Sequence, residues 1–188
     1  MKKFNAKEIL IPTVSLFIIC SIVTLLLAVT NSVTAPKIAE LQIETENKTK
    51  AAVLSEAASF SESKTVAYNG SEYTYYEGYD NDKNIVGYVF TTSAKGYGGD
   101  IITMVGVKAD GTVAGMDFLS ISETAGLGMN ADTDDFKNQF VGKSGEISVN
   151  KNTSSDTEIQ ALTGATITSK AVTEAVNTAL KLFEEVNG

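Results

Sequence analysis

The chain has 188 residues, a hydrophobic share of 43%, no histidine and one cysteine, Cys20. This composition excludes histidine-dependent catalysis, zinc fingers, iron–sulfur ligation and intrachain disulfides, so neither a metal site nor catalytic residues are assigned. The formal net charge of −8 also argues against nucleic acid as a partner, because phosphate backbones repel an acidic domain.

An uncharged apolar run over residues 9–29 is the first predicted element. Roughly 20 apolar residues are enough for a helix to cross the hydrocarbon core of a membrane. Lysines flank this run on its N-terminal side only, so the positive-inside rule places the N-terminus in the cytoplasm. The sequence therefore predicts a cytoplasmic segment over residues 1–8, a single transmembrane helix over residues 9–30 and an extracytoplasmic remainder. The expected location is the cell (inner) membrane.

A cleaved signal peptide is the alternative interpretation of this run, because residues 33–35 (Val-Thr-Ala) resemble a small-residue cleavage site. The apolar region of a signal peptide has roughly 7–15 residues, which is shorter than the run observed here. Pro36 would also follow the cut directly, which is unfavourable. A retained membrane anchor is therefore the favoured interpretation.

A polar helix and a short linker are predicted between the apolar run and the folded domain. Apolar residues recur at helical spacing between Pro36 and about Phe60, with a charged stretch between them. Residues 61–64 have the composition of a linker. We therefore interpret residues 31–64 as a stalk or docking helix with its linker, and residues 65–188 as the extracytoplasmic domain.

Strand patterns dominate the first half of that domain. Over residues 71–122, aromatic and β-branched residues alternate with polar ones, and turn residues cluster at 80–84 and at Asp110-Gly111. These signals predict an antiparallel meander of about four strands. Apolar residues at helical spacing predict a C-terminal helix over about residues 168–186. The expected fold class is α+β, a small antiparallel sheet with a C-terminal helix, tethered by one transmembrane helix.

The segment Thr163-Gly164-Ala165-Thr166 comes directly before the predicted C-terminal helix. Its two threonines offer hydroxyls, while the glycine and the alanine leave the backbone open to a bulky group. The first turn of a helix also presents unpaired N–H groups and a positive dipole end, which favour a phosphate. An ordinary capped helix start uses the same residue types, so both interpretations stay open on the residues alone.

A second candidate segment begins at Glu123 and has the sequence Glu-Thr-Ala-Gly-Leu-Gly. Gly126 and Gly128 permit a positive φ and a close backbone approach. Leu127 is suited to cover a planar ring, and Glu123 and Thr124 could form hydrogen bonds with the edges of such a ring. A plain connecting loop is the alternative interpretation.

Both segments resemble motifs of the FMN-binding domain family, which includes the G subunit of Rnf-type electron-transport complexes. One family motif is Ser/Thr-Gly-Ala-Thr, then any residue, then Thr/Ser. The threonine directly after the alanine carries flavin mononucleotide (FMN) as a phosphoester. That threonine corresponds to Thr166, and Thr168 completes the motif. The Rnf-type loop is Glu-Thr-Pro-Gly-Leu-Gly, from which this chain departs at Ala125. The family usually has an acidic residue where this chain has Gln160, and the glycine-rich turn around Tyr97 is also similar to the family's.

The resemblance implies covalent FMN, attached to Thr166 by a flavin transferase during maturation. The other residues that it assigns to the cofactor lie in the same two segments. They are Thr163, Gly164, Ala165, Thr168, Glu123, Thr124, Gly126, Leu127 and Gly128.

The resemblance also implies an electron-carrying subunit of a membrane complex that couples ferredoxin:NAD electron transfer to transport of Na⁺ or H⁺. The partners are then the other subunits of an Rnf-type complex, and the chain acts in an enzyme only as part of that translocase. One alternative is a membrane-anchored covalent-FMN domain that serves a different extracytoplasmic reductase. The other alternative is a tethered binding module without redox chemistry.

Overall fold

The computed structural model describes residues 6–187, which form two compact units divided between Glu44 and Thr45. The first unit consists of most of helix α1 (Ala6–Val53), whose apolar side chains up to Ile43 are exposed. Its most apolar stretch has a mean hydropathy of 2.6, and α1 is the one described helix long and apolar enough to cross a membrane. By length and composition, a helix of this kind could cross a membrane.

Helix α1 differs from the prediction at two points. It continues without a break through Pro36, although a separate stalk helix was expected to begin there. It also ends at Val53 rather than near Phe60, because Ser59 and Phe60 pair with strand residues instead. The predicted cytoplasmic segment over residues 1–8 lies mostly outside the described residues.

The second unit, from Thr45 onward, contains a six-stranded antiparallel sheet. The strands are β1 (Ser59–Phe60), β2 (Lys64–Tyr68), β3 (Ser71–Tyr79), β4 (Ile85–Lys95), β5 (Asp100–Lys108) and β6 (Val113–Ser120). They lie in the order β1-β3-β4-β5-β6, and β2 pairs with β3 beside β1. The predicted meander corresponds to β3 to β6. Strand β1 was missed because it lies within the segment predicted as a helix, and β2 was missed because it begins in the predicted linker.

Short elements follow the sheet and lead into the C-terminal helix α3. A turn of 3-10 helix follows β6 after a loop over residues 121–127, and β7 and β8 form a small parallel pair. Helix α3 begins two residues earlier than predicted, at Thr166. The bounds are Gly128–Asp132 for the 3-10 helix, α2 (Asp134–Lys137), β7 (Ser148–Asn150), β8 (Glu158–Gln160) and α3 (Thr166–Asn187).

Helix α3 covers one face of the sheet and forms the larger core with it. Its apolar side chains recur at helical spacing and pack against inward-facing residues of β4 and β5, which alternate along each strand. The predicted α+β class and the C-terminal helix are therefore confirmed. Fully buried members of this core are Phe90, Ile101, Val105, Val107, Val172, Val176 and Leu182.

The end of α1 covers the opposite face of the sheet. Val53 and Leu54 are buried there against side chains of β3, β4 and β5. The approach is so close that a Cβ atom on Gly106 would lie 2.2 Å from the carbonyl oxygen of Val53, and one on Gly78 would lie 2.6 Å from a methyl carbon of Leu54. Glycines on the strands therefore make room for the helix end.

Polar contacts reinforce this attachment. The Tyr76 hydroxyl donates a hydrogen bond of 2.5 Å to the Glu46 carboxylate, and the buried Lys50 ammonium lies 3.9 Å from the centre of the Tyr76 ring. Burial raises the pKa of Tyr76, and the hydrogen bond to Glu46 raises it further. The phenol therefore stays protonated and remains a hydrogen-bond donor at all physiological pH values.

Candidate functional site

A cavity of about 540 Å³ opens where three segments of the second unit meet. The segments are the turn between β4 and β5, the loop after β6 and the start of α3. The volume lies within the roughly 300–1,000 Å³ that is typical of small-molecule and cofactor sites. The lining residues are Tyr97, Glu123, Thr124, Leu127, Gly128, Gly164, Ala165, Thr166, Ile167 and Thr168.

The start of α3 forms one wall of the cavity. The Ser169 N–H donates a hydrogen bond of 3.0 Å to the carbonyl oxygen of Ala165, as in a regular helix. The N–H groups of Thr166, Ile167 and Thr168 lie in the turn before it. Such groups lack partners within a helix and concentrate its positive dipole end. The arrangement suits a phosphate group at this wall.

A buried hydroxyl fixes the turn that leads into α3. Ser169 is fully buried, and its Oγ accepts a hydrogen bond from the Leu162 N–H at 2.9 Å and donates one to the Ala165 carbonyl at 3.0 Å. Gly164 in this turn has φ of +76°, a conformation that favours glycine. The sequence did not identify Ser169, because a serine in the first helical turn has the same appearance as a surface residue.

Two threonines of the same helical turn lie in different environments. Thr166 is the first residue of α3, is partly exposed and lines the cavity. Thr168 is only 1% exposed, and its hydroxyl donates a hydrogen bond of 2.8 Å to the Glu123 carboxylate. Thr166 therefore presents the more accessible hydroxyl of the two.

The two glycines of the Glu123 loop have separate structural roles. Gly126 has φ of +74°, and a Cβ atom there would meet nothing within 4 Å. Gly128 is buried, and a Cβ atom on it would lie 2.6 Å from a Glu123 carboxylate oxygen and 2.7 Å from the Thr168 hydroxyl. The first glycine permits the turn, whereas the second permits close packing.

Comparisons with known proteins point to one family. A model of the FMN-binding domain matches residues 96–181. The G subunit of the proton-translocating ferredoxin:NAD(+) oxidoreductase complex of Clostridium ljungdahlii is 37% identical over 177 residues, which cover 94% of this chain and 92% of that relative. The chain belongs to the FMN-binding domain family.

Two further family members extend this comparison. The G subunit of the Na(+)-translocating ferredoxin:NAD(+) oxidoreductase complex of Acetobacterium woodii is 36% identical, and the match covers 92% of this chain and 90% of that relative. The crystal structure of the C subunit of the Na(+)-translocating NADH-quinone reductase from Parabacteroides distasonis is similar with a TM-score of 0.51 and 26% identity, over 62% of each chain. The proteins similar to this chain therefore include subunits of two kinds of Na(+)-translocating redox complex.

The cavity has features that fit the cofactor of this family. FMN combines a phosphate on a flexible chain with a planar ring, and it supplies redox chemistry to the proteins that bind it. The start of α3 presents N–H groups of the kind that favour a phosphate, next to the partly exposed Thr166. Three exposed side chains on the cavity wall, Tyr97 (73% exposed), Ile167 (54%) and Leu127 (44%), offer apolar surface to a ring.

Most of the residues assigned from the sequence lie on the wall of this one cavity. Thr163 and Gly126 do not line it, although each is a neighbour in the chain of residues that do. The lining also includes Tyr97, which was noted without an assignment, and Ile167, which belongs to the motif but was given no role. Ile167 lies between the two motif threonines, at the position where the family motif accepts any residue.

Proposed function

We propose that this chain carries FMN covalently, as a phosphoester on Thr166. The observation that supports this most strongly is the position of Thr166, a partly exposed residue that lines the cavity at the first position of α3. A phosphate bound there meets N–H donors and the positive end of the helix. Thr166 holds the cofactor and takes no part in turnover as a nucleophile.

Covalent attachment has a physical rationale for a cofactor on the outer side of a membrane. A dissociable cofactor is lost by dilution, whereas an ester bond makes the occupancy independent of the free concentration. The remaining assigned residues position the group. The proposed phosphate-end residues are Thr163, Gly164, Ala165 and Thr168, and the proposed ring-end residues are Glu123, Thr124, Gly126, Leu127 and Gly128. A flavin transferase forms the ester during maturation.

The chain then serves as an electron-carrying subunit of a membrane complex that couples ferredoxin:NAD electron transfer to transport of Na⁺ or H⁺. The relatives named for such complexes support this proposal, since they are 36–37% identical over more than nine-tenths of the chain. The partners are the other subunits of an Rnf-type complex. The quinone-reductase subunit is similar over a smaller share of the chain, which makes the ferredoxin-linked role the better supported one.

The mass of the intact chain tests this proposal. After purification from its native membrane, the chain is expected to be about 438 Da heavier than its sequence, which is FMN less water. The denatured band on a gel should fluoresce under ultraviolet light, because an ester bond survives denaturation. Expression in a host without a flavin transferase should give the unmodified mass. A native chain with the plain sequence mass contradicts the proposal.

The orientation in the membrane is a separate proposal with its own test. We propose a single pass with the N-terminus in the cytoplasm and the folded domain outside, as the positive-inside rule predicts. Protease added to intact spheroplasts is expected to remove the chain beyond about residue 36. Protection in spheroplasts combined with digestion in inverted vesicles would reverse the orientation. A mature N-terminus at Pro36 would instead establish signal-peptide cleavage.

A further inference from the structure

The Glu123 carboxylate connects all three segments that form the cavity. It belongs to the loop after β6, and its Oε1 accepts a hydrogen bond of 3.0 Å from the Gly98 N–H in the β4–β5 turn. Its Oε2 accepts a hydrogen bond of 2.8 Å from the Thr168 hydroxyl at the start of α3. Each carboxylate oxygen therefore binds a different neighbouring segment.

The glycines around Glu123 leave space for this carboxylate. A Cβ atom on Gly96 would lie 2.2 Å from Oε1, and a Cβ atom on Gly128 would lie 2.6 Å from Oε2. A Cβ atom on Gly98 would lie 2.2 Å from the carbonyl oxygen of Ser122, next to Glu123 in the chain. A side chain at Gly96 or Gly128 would therefore displace the Glu123 carboxylate, and one at Gly98 would displace the backbone next to it.

Among the described residues, the Glu123 carboxylate forms hydrogen bonds but no ion pair. Its two donors are a backbone N–H and a hydroxyl, both neutral, and within the described part of the chain it forms no ion pair with a lysine. Glu123 is also the charged member of the cavity lining, which otherwise consists of neutral residues. A carboxylate charge held at the wall of a cavity opposes the arrival of further negative charge there.

We propose that Glu123 is a positioning residue that also lowers the reduction potential of the bound flavin; this rests on the function proposed above. By holding Gly98 and Thr168, it fixes the turn that carries Tyr97 relative to the helix start that carries Thr166. Its negative charge makes the addition of an electron to the flavin less favourable. The carboxylate therefore acts on the cofactor through the segments it joins and through its field.

The potential of the flavin tests the effect of the charge. Glu123→Gln removes the charge and keeps one acceptor oxygen, so the midpoint potential is expected to shift to a more positive value than in the original chain. Glu184→Gln is the matched control, because this exposed carboxylate lies 18 residues beyond Thr166 along α3, roughly 27 Å at 1.5 Å per residue. Redox titrations compare the three chains at equal flavin occupancy. Equal potentials for Glu123→Gln and the original chain would overturn the effect of the charge.

Hydrogen exchange tests the connection between the segments without any cofactor. In the full chain expressed without a flavin transferase, Glu123→Ala is expected to speed exchange of the Gly98 amide about tenfold, since a hydrogen bond to a charged group is lost. Glu184→Ala should leave that amide unchanged. Equal exchange in the two variants would overturn the positioning role. A native chain that carries no flavin would instead refute the proposed function, and this exchange result would still stand.

Discussion

Thr166→Ala is expected to abolish covalent flavin completely, because the variant lacks the hydroxyl oxygen that bonds to phosphorus. The cavity should survive the change, since Thr166 makes no hydrogen bond on which the turn before α3 depends, whereas Ser169 does. Coexpression with a flavin transferase, followed by intact-mass measurement and gel fluorescence, checks the result. Both the mass gain and the fluorescence should disappear.

Two further variants separate loss of the acceptor from loss of the fold. Thr166→Ser keeps a hydroxyl at the same position and should recover the adduct. Thr168→Ala removes the neighbouring hydroxyl, which is buried and already donates to Glu123, so the adduct should persist. A flavin-carrying Thr166→Ala chain would show that another residue is the acceptor.

The sequence singled out two of the three segments that line the cavity, because each of the two is a continuous motif. Their role in binding the cofactor stays a prediction. Eight of the ten assigned residues line one cavity, and they come from two of its three segments, which lie about 40 residues apart in the chain. The sequence could not assign separate roles to Gly126 and Gly128. The close packing at Gly128 depends on Thr168, whose hydroxyl contacts Glu123 only after α3 has packed on the sheet.

The parts of the fold that were missed have a common cause. The end of α1 was interpreted as part of a stalk or docking helix that continues to about Phe60, and the sequence did not show which residues would contact the domain. In the structure, Glu46 and Lys50 help to attach the helix end to the sheet. Glu46 accepts a hydrogen bond from the Tyr76 hydroxyl, and the Lys50 ammonium lies over the Tyr76 ring. Likewise, β1 is recognisable as a strand only through its partner β3. The attachment of the α1 end and the pairing of β1 depend on contacts between segments far apart in the chain. The local sequence pattern does not contain this information.

Gly106→Ala is expected to lower the free energy of unfolding by about 3 kcal/mol, the upper part of the range for overpacked sites. The added Cβ would lie 2.2 Å from the carbonyl oxygen of Val53 and 2.8 Å from its carbonyl carbon. Both atoms belong to the backbone, so no side-chain rotation relieves the clash. The end of α1 must move away from the sheet, which exposes Leu54 and Met104 to water.

Gly99→Ala is the matched control for this substitution, because a Cβ atom there would meet nothing within 4 Å. Its effect should stay within about 0.5 kcal/mol, as for ordinary surface substitutions. Chemical denaturation of the full chain in detergent gives both values, and limited proteolysis of residues 54–58 reports whether the helix end has left the sheet. Equal stabilities and equal cleavage in the two variants would show that the Val53 backbone moves freely, and the close approach of α1 would then contribute little to the stability of the domain.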